Sequence, residues 1–211
     1  MSSRAAAQPE KFPRRTIRKQ KTRERIVAAA SKLFQELGYS EATLASIADE
    51  ADVHVTTLFT HFSSKKELAD ALSDASLDRL SELIGEAKGK VPFFRFIREV
   101  ITSTAKSYQA NPSPHVILGL VSRGDPELTL AGKNYEQQQI ELLADYIAAE
   151  YTFDLVRDYE PILVAGLVIS ATTIAHARWV DSKGRSNLLK ESLAAVDAAE
   201  ALVKGALKAR T

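Results

Sequence analysis

The chain has 211 residues, no cysteine and a single tryptophan. It is long enough for one sizeable core, or for a small domain joined to a larger one, and it excludes disulfides and thiolate metal sites. Net charge is only +1, but residues 1–25 hold nine basic and two acidic residues, and the remaining 186 carry a net charge of −6. A basic end on an acidic body points to a polyanionic partner there, although a basic tail taken alone is more often simply solvated.

The first residues carry no apolar signal core. Residues 1–16, with Pro9 and Pro13, read as a flexible basic arm. A helix is predicted over Thr16 to Leu37, with Ile26, Ala29, Ala30, Leu33, Phe34 and Leu37 on one face and Gly38 just past its end. Thr43 is placed to cap a short helix, "LASIADEA", whose Leu44, Ile47, Ala48 and Ala51 face inward. A break at Asp52 leads into "VHVTTLFTHF", where Val53 and Leu58 are the expected buried residues and Phe62 follows one turn later. Ser64 and Glu67 then match a capping box at the start of a helix running to about Lys88.

Gly89 and Pro92 mark a boundary. Beyond it, helices are predicted over Phe93 to about Gln109, in a short segment around Val116 to Val121, and from Asp125-Pro126 to about Glu150. Two more follow, from about Tyr159 to Ser182 and from Ser186 or Asn187 to about Ala209. The fold class is therefore all-α, with about nine helices and no strand. The uncharged run "PILVAGLVISATTIA" is shorter than the roughly 20 residues a bilayer span needs. It reads as a helix buried on most sides, with no membrane association and a cytoplasmic location expected.

Two short helices joined by a tight turn, "LASIADEADVHVTTLF", form a helix-turn-helix. In such a unit the second helix enters the major groove and the first crosses the phosphate backbone. With Val53 and Leu58 turned inward, His54, Thr56, Thr57 and Thr60 are left to face out. Arg14, Arg15, Arg18 and Lys19 lie just before the first helix, where an arm can reach an adjacent minor groove. No G-x-S-x-G, P-loop, H-E-x-x-H or dinucleotide fingerprint occurs, so an enzyme is not expected, and neither is a cofactor. His54 and His61 stand seven residues apart, about two helical turns, so no metal site is expected either.

The stretch "RERIVAAASKLFQELGYSEATLASIADEADVHVTTLFTHFSSKKEL" resembles the N-terminal domain of the tetracycline-repressor (TetR) family. The features in common are the Leu-Phe pair and Gly38-Tyr39 after helix one, Thr43 with Ile47-Ala48, and Val53. "TLF" at Thr57 to Phe59, His61-Phe62, Ser64-Lys65 and Glu67-Leu68 complete the match. The resemblance implies a homodimeric repressor whose N-terminal domain binds a pseudo-palindromic operator in double-stranded DNA. It also implies a C-terminal domain that dimerises and binds a small-molecule effector. Carried over by position, Thr43, His61 and Lys65 would contact phosphates, and Thr56, Thr57 and Thr60 would face the groove. Three positions depart from the family's usual pattern: Asp52 where glycine is common, Phe59 where tyrosine is common, and His54 where a serine-like cap is usual. Phe59 therefore lacks a hydroxyl for phosphate, while His54 is placed near a base or phosphate.

The domain organisation implied is an arm over 1–16, a DNA-binding domain over 17–68 whose fourth helix continues to about 88, and an effector and dimerisation domain over 89–211. In proteins of this kind the last two long helices form a four-helix interface with their symmetry mates. Gly166, Ser170, Ala171, Leu189, Leu193, Val196 and Val203 are the expected interface residues. Phe96, Tyr108, His115, Tyr135, Tyr146, His176, Arg178 and Trp179 are the candidates for an effector pocket. Aromatic residues at helical spacing serve core packing more often than ligand binding. The competing readings are a helical regulator controlled by a protein partner, without a small ligand, and an all-α enzyme.

Overall fold

The computed structural model describes residues 13–110, 112 and 126–208. Eight helices occur among them: α1 (Pro13–Leu37), α2 (Leu44–Glu50), α3 (Val55–Phe59), α4 (Lys65–Ala87), α5 (Phe93–Ala110), α6 (Pro126–Tyr151), α7 (Glu160–Asp181) and α8 (Leu188–Lys208). No strand occurs among the described residues. The predicted segment at 116–121, along with His115 and Asp125, lies outside them.

α1 begins three residues earlier than the sequence pattern predicts, so residues 13–16 are helical rather than part of an arm. Pro13 suits the first helical position, because its ring presets φ and its missing N–H has no helical partner there in any case. The rest of the predicted arm, residues 1–12, is outside the described region. At the other end Gly38 takes φ 86° and its N–H returns to the Phe34 carbonyl at 3.1 Å. That close rotates Leu37 outward to 45 % exposure, away from the inner face expected for it.

α1 to α4 enclose one apolar core built on Ile26, Ala30, Ile47, Leu58, Phe62 and Leu68. A second core gathers Phe93, Phe96, Tyr146, Ile147, Val164, Val168 and Val196 from α5 to α8. α4 belongs to both, with Leu68 and Ala71 in the first and Ile84 in the second. A rigid 23-residue helix therefore joins the two cores. The junction with α5 is closed by Glu150, whose carboxylate accepts the Phe93 N–H at 2.7 Å. Tyr146 adds to it by donating its hydroxyl to the Val91 carbonyl at 2.6 Å.

Two expectations change in the C-terminal half. α7 has the length and apolar composition of a bilayer-spanning helix, yet it is not buried on most sides. It packs Val164, Ala165, Val168, Ala175 and Trp179 inward and leaves Leu163 and Ile174 at 66 % and 53 % exposure. On α8, Val196 is fully buried in the second core, and Val203 packs against that core. Leu189 packs against a small neighbouring cluster of Ala105, Trp179, Val180 and Leu188. These residues hold the protomer together, while the outward face of α8 is Ala194, Ala198, Ala201, Leu202 and Gly205.

Candidate nucleic-acid interface

The helix-turn-helix is built from caps. Thr43 accepts the Ser46 N–H on its Oγ1 at 3.0 Å, and Ser46 Oγ accepts the Thr43 N–H at the same distance. That reciprocal pair fixes the start of α2. Its hydroxyl is thus a structural cap, exposed on the surface where a phosphate contact is expected of Thr43.

The turn between α2 and α3 pivots on Asp52, which takes φ 50°. This is the left-handed region that glycine prefers and aspartate tolerates better than most residues. Arg25 on α1 secures the strained turn. Its Nη2 donates to the Ala51 carbonyl at 2.5 Å, the Asp52 carbonyl at 3.0 Å and the Asp52 carboxylate at 3.1 Å. The same guanidinium offsets the negative charge of Asp52 beside the start of α3. Sequence reasoning passes over Arg25, because its partners lie 26 and 27 residues away.

His54 caps α3 in place of a serine. Its Nδ1 accepts the Thr56 N–H at 3.5 Å and lies 2.9 Å from Thr56 Oγ1. An Nδ1 that accepts places the neutral ring's proton on Nε2, so the outer edge of His54 is a donor. Leu58 is fully buried, whereas Val53 is half-buried. Thr56 and Thr60 are exposed, Thr57 is half-buried, and Phe59 stands 52 % exposed on the same short helix. Thr60 donates its hydroxyl to the Thr57 carbonyl at 2.7 Å.

His61 sits beside Lys19 and Arg23 of α1. Burial first, and then these two positive charges, hold its imidazole below the usual histidine range. Arg23 also stacks over the buried Phe62 ring at 4.5 Å. Lys19, Arg23 and His61 thus form an electropositive edge just past the end of α3. Lys19 is expected from the sequence only as part of a groove-reaching arm and Arg23 not at all, because their neighbour His61 lies about 40 residues away. The side chains of Arg14 and Arg15 lie outside the described set.

Lys65 is arranged differently from the expected phosphate contact. Its ammonium donates to the Tyr39 and Ser40 carbonyls at 2.6 and 3.1 Å and lies 4.5 Å above the Tyr39 ring. It ties the start of α4 to the turn after α1 and has one of its three donors left for a phosphate. At the same helix start, Ser64 Oγ accepts the Glu67 N–H at 3.1 Å, as a capping box requires. The Glu67 carboxylate reaches one residue further back than that motif specifies, to the Ser63 N–H at 2.6 Å and its hydroxyl at 2.9 Å. These bonds hold the Glu67 carboxyl below its usual range.

The effector candidates separate into two groups. Phe96 and Tyr146 are core: both are buried, their rings tilt together at 5.1 Å, and the Tyr146 hydroxyl is already bonded. Arg178 is exposed in the last turn of α7. Tyr108, His176 and Trp179 do come together, with ring centroids 5.7 to 6.4 Å apart. Burial raises Tyr108 above its usual value. It raises Tyr135 too, with Tyr108 adding to the shift and a hydrogen bond with Ser76 of α4 opposing it. Trp179 Nε1–H is buried without a hydrogen-bond partner among the described residues. Tyr135 also lines an open cleft of about 420 Å³ between α4 and α6, with Lys66, Asp70, Ser73, Asp74, Asn134 and Gln138 among its walls.

Residues 26–72 match the family profile for bacterial regulatory proteins of the TetR family. Among curated relatives, the regulator TcmR of Streptomyces glaucescens is 41 % identical over 49 residues, 23 % of this chain and 22 % of its own length. The chain spans less than a third of the first curated relatives it matches. A TetR-family structure from Mesorhizobium loti superposes with a TM-score of 0.64 at 16 % identity, covering 88 % of this chain and 98 % of that one. The Bacillus subtilis regulator FadR, in complex with stearoyl-CoA, gives a TM-score of 0.62 at 17 % identity over 83 % and 96 %. At these identities the structural likeness speaks for the fold.

Proposed function

We propose that this chain, as a member of the TetR family of bacterial transcriptional regulators, acts as a homodimeric repressor released from operator DNA by a small-molecule effector. The observation that carries the DNA side is the capped helix-turn-helix, with exposed Thr56, Phe59 and Thr60 followed by the Lys19, Arg23 and His61 edge. Phosphate contacts from that edge would set register, and α3 would meet the bases. A basic segment ahead of α1, including Arg14 and Arg15, would add minor-groove or backbone contacts.

The dimer reading is supported by the outward faces of α7 and α8. Leu163, Gly166, Ser170 and Ile174 form one stripe, and Ala194, Ala198, Ala201, Leu202 and Gly205 form the other. A side chain added at Gly166 or Gly205 meets nothing within 4 Å in the protomer, so no internal packing requires either glycine. Small residues on an apolar face suit close approach of a second pair of helices. Paired heads one DNA turn apart, about 34–36 Å, would require a pseudo-palindromic operator.

The effector would sit at Tyr108, Tyr135, His176 and Trp179, contributed by α5, α6 and α7. The buried Trp179 N–H would meet an acceptor on the ligand. The hydrogen bond between Ser76 and Tyr135 links that site to α4, and α4 carries Leu68 of the DNA-binding core. Ligand binding that moves α4 would alter the spacing of the two heads, and effector and operator would weaken each other's binding equally. FadR's complex with stearoyl-CoA shows this fold holding such a ligand in a relative.

Selection of bound fragments from a random DNA pool tests the reading. Enrichment of a site with two inverted halves is the expected result, and enrichment of no sequence would overturn it.

A further inference from the structure

We propose that α3 reads thymine C5-methyl groups in the major groove, using the methyls of Thr56 and Thr60 and the ring of Phe59. The inference rests on the operator-binding reading above and names the base chemistry that reading implies. α3 has the sequence VTTLF, with no arginine, lysine, asparagine, glutamine or carboxylate. The bidentate contacts that identify guanine or adenine, and the carboxylate contact to cytosine, therefore have no side chain on this helix to make them.

Thr57 is half-buried, and the two exposed threonines, Thr56 and the C-cap Thr60, turn their hydroxyls back on the chain. Thr60 Oγ1 donates to the Thr57 carbonyl at 2.7 Å. Thr56 Oγ1 lies 2.9 Å from His54 Nδ1, the nitrogen that also accepts the Thr56 N–H. With these two hydroxyls engaged by partners inside the motif, each exposed threonine has its γ-methyl left to offer a base. Phe59, at 52 % exposure, adds an apolar ring that has no hydroxyl for phosphate. The result is an apolar reading face beside a cationic edge of Lys19 and Arg23. Charge complementarity there holds the duplex, while the apolar face selects for the methyl group that distinguishes thymine in the major groove.

The test uses the full chain and the site it selects from a random pool. That site is resynthesised with deoxyuridine in place of each thymidine in turn, which removes only the methyl group. At least one position in each half-site should lose about fourfold in affinity, the value for one methyl-sized apolar group taken out of water. Thr56→Ser and Thr60→Ser keep the hydroxyl bonds and remove the methyl, and Phe59→Ala removes the ring. Each variant is checked for unchanged thermal unfolding. At the position a variant reads, the preference for thymidine over deoxyuridine should fall to about one. Tight, selective binding that tolerates deoxyuridine at every position would overturn the proposal. A deoxyuridine penalty that survives undiminished in all three variants would do the same. Failure to select any sequence would instead remove the operator reading on which it stands.

Discussion

Asp52 and His61 show how single residues set both the stability of the reading head and its response to conditions. At φ 50°, Asp52 adopts backbone that glycine enters without strain, while Arg25 holds its carbonyl and one carboxylate oxygen. The ion pair is exposed, its side chains at 51 % and 99 %, and is therefore worth little alone. Asp52→Gly should leave the unfolding free energy within about 1 kcal/mol of the parent and strengthen DNA binding by removing a negative charge. Asp52→Val should cost about 1–3 kcal/mol, because a β-branched residue is strained at positive φ. Chemical denaturation and operator titration of both variants check this, and equal stability of the two would sink the account. His61 titrates in the opposite sense to a paired histidine. Its folded value lies below the unfolded one, so the unfolded chain binds the extra proton. Its contribution to stability is complete above the unfolded value, about 6.5, and declines as pH falls through it toward the folded value. A phosphate placed beside it would favour the charged ring. Operator affinity should therefore rise as pH falls from about 8 to about 6, and His61→Gln should flatten that dependence when Kd is measured across the range.

Among the elements, the short helices were legible in the sequence and the long apolar one was not fully so. Caps are local: Thr43 and Ser46, or Ser64 and Glu67, lie three residues apart, and the pattern that marks them is the geometry that forms them. Aspartate at 52 and histidine at 54 are visible as departures from a pattern. What offsets the first is not, because Arg25 approaches from another helix 27 residues away. The same limit hid the engagement of Lys65 with the Tyr39 and Ser40 carbonyls. α7 exposes a different limit. Its run of apolar residues reads as a helix buried on most sides, since hydropathy cannot tell a face covered within the protomer from one left open. Val196 was mis-assigned for a related reason. Period alone finds the apolar stripe of α8 that contains Val196, and that stripe is the core-facing one. The opposite stripe, rich in alanine with Leu202 and Gly205, is weakly hydrophobic and gives little periodic signal.

For the whole molecule, the decisive question is whether the open faces of α7 and α8 meet solvent or a second copy. Gly166 lies in the middle of α7 with nothing within 4 Å of an added Cβ. If the face is solvated, Gly166→Leu replaces the weaker helix former with a stronger one and should stabilise the chain by about 0.5–1 kcal/mol. If the face is the dimer interface, the same leucine stands where two helices approach closely and drives them apart. The two arrangements predict opposite signs for one substitution. We expect Gly166→Leu to remain folded, with an undiminished helical circular dichroism signal. It should sediment as a monomer at concentrations where the parent is a dimer. Its operator affinity should fall steeply, because a monomer keeps one reading head and loses the effective concentration that the linked second head supplies. Val196→Ala is the matched control. It removes buried volume from the protomer core, so it should lower the unfolding free energy by about 2 kcal/mol without a comparable effect on dimer dissociation. A Gly166→Leu protein that stays dimeric with full operator affinity would place the interface elsewhere on the molecule.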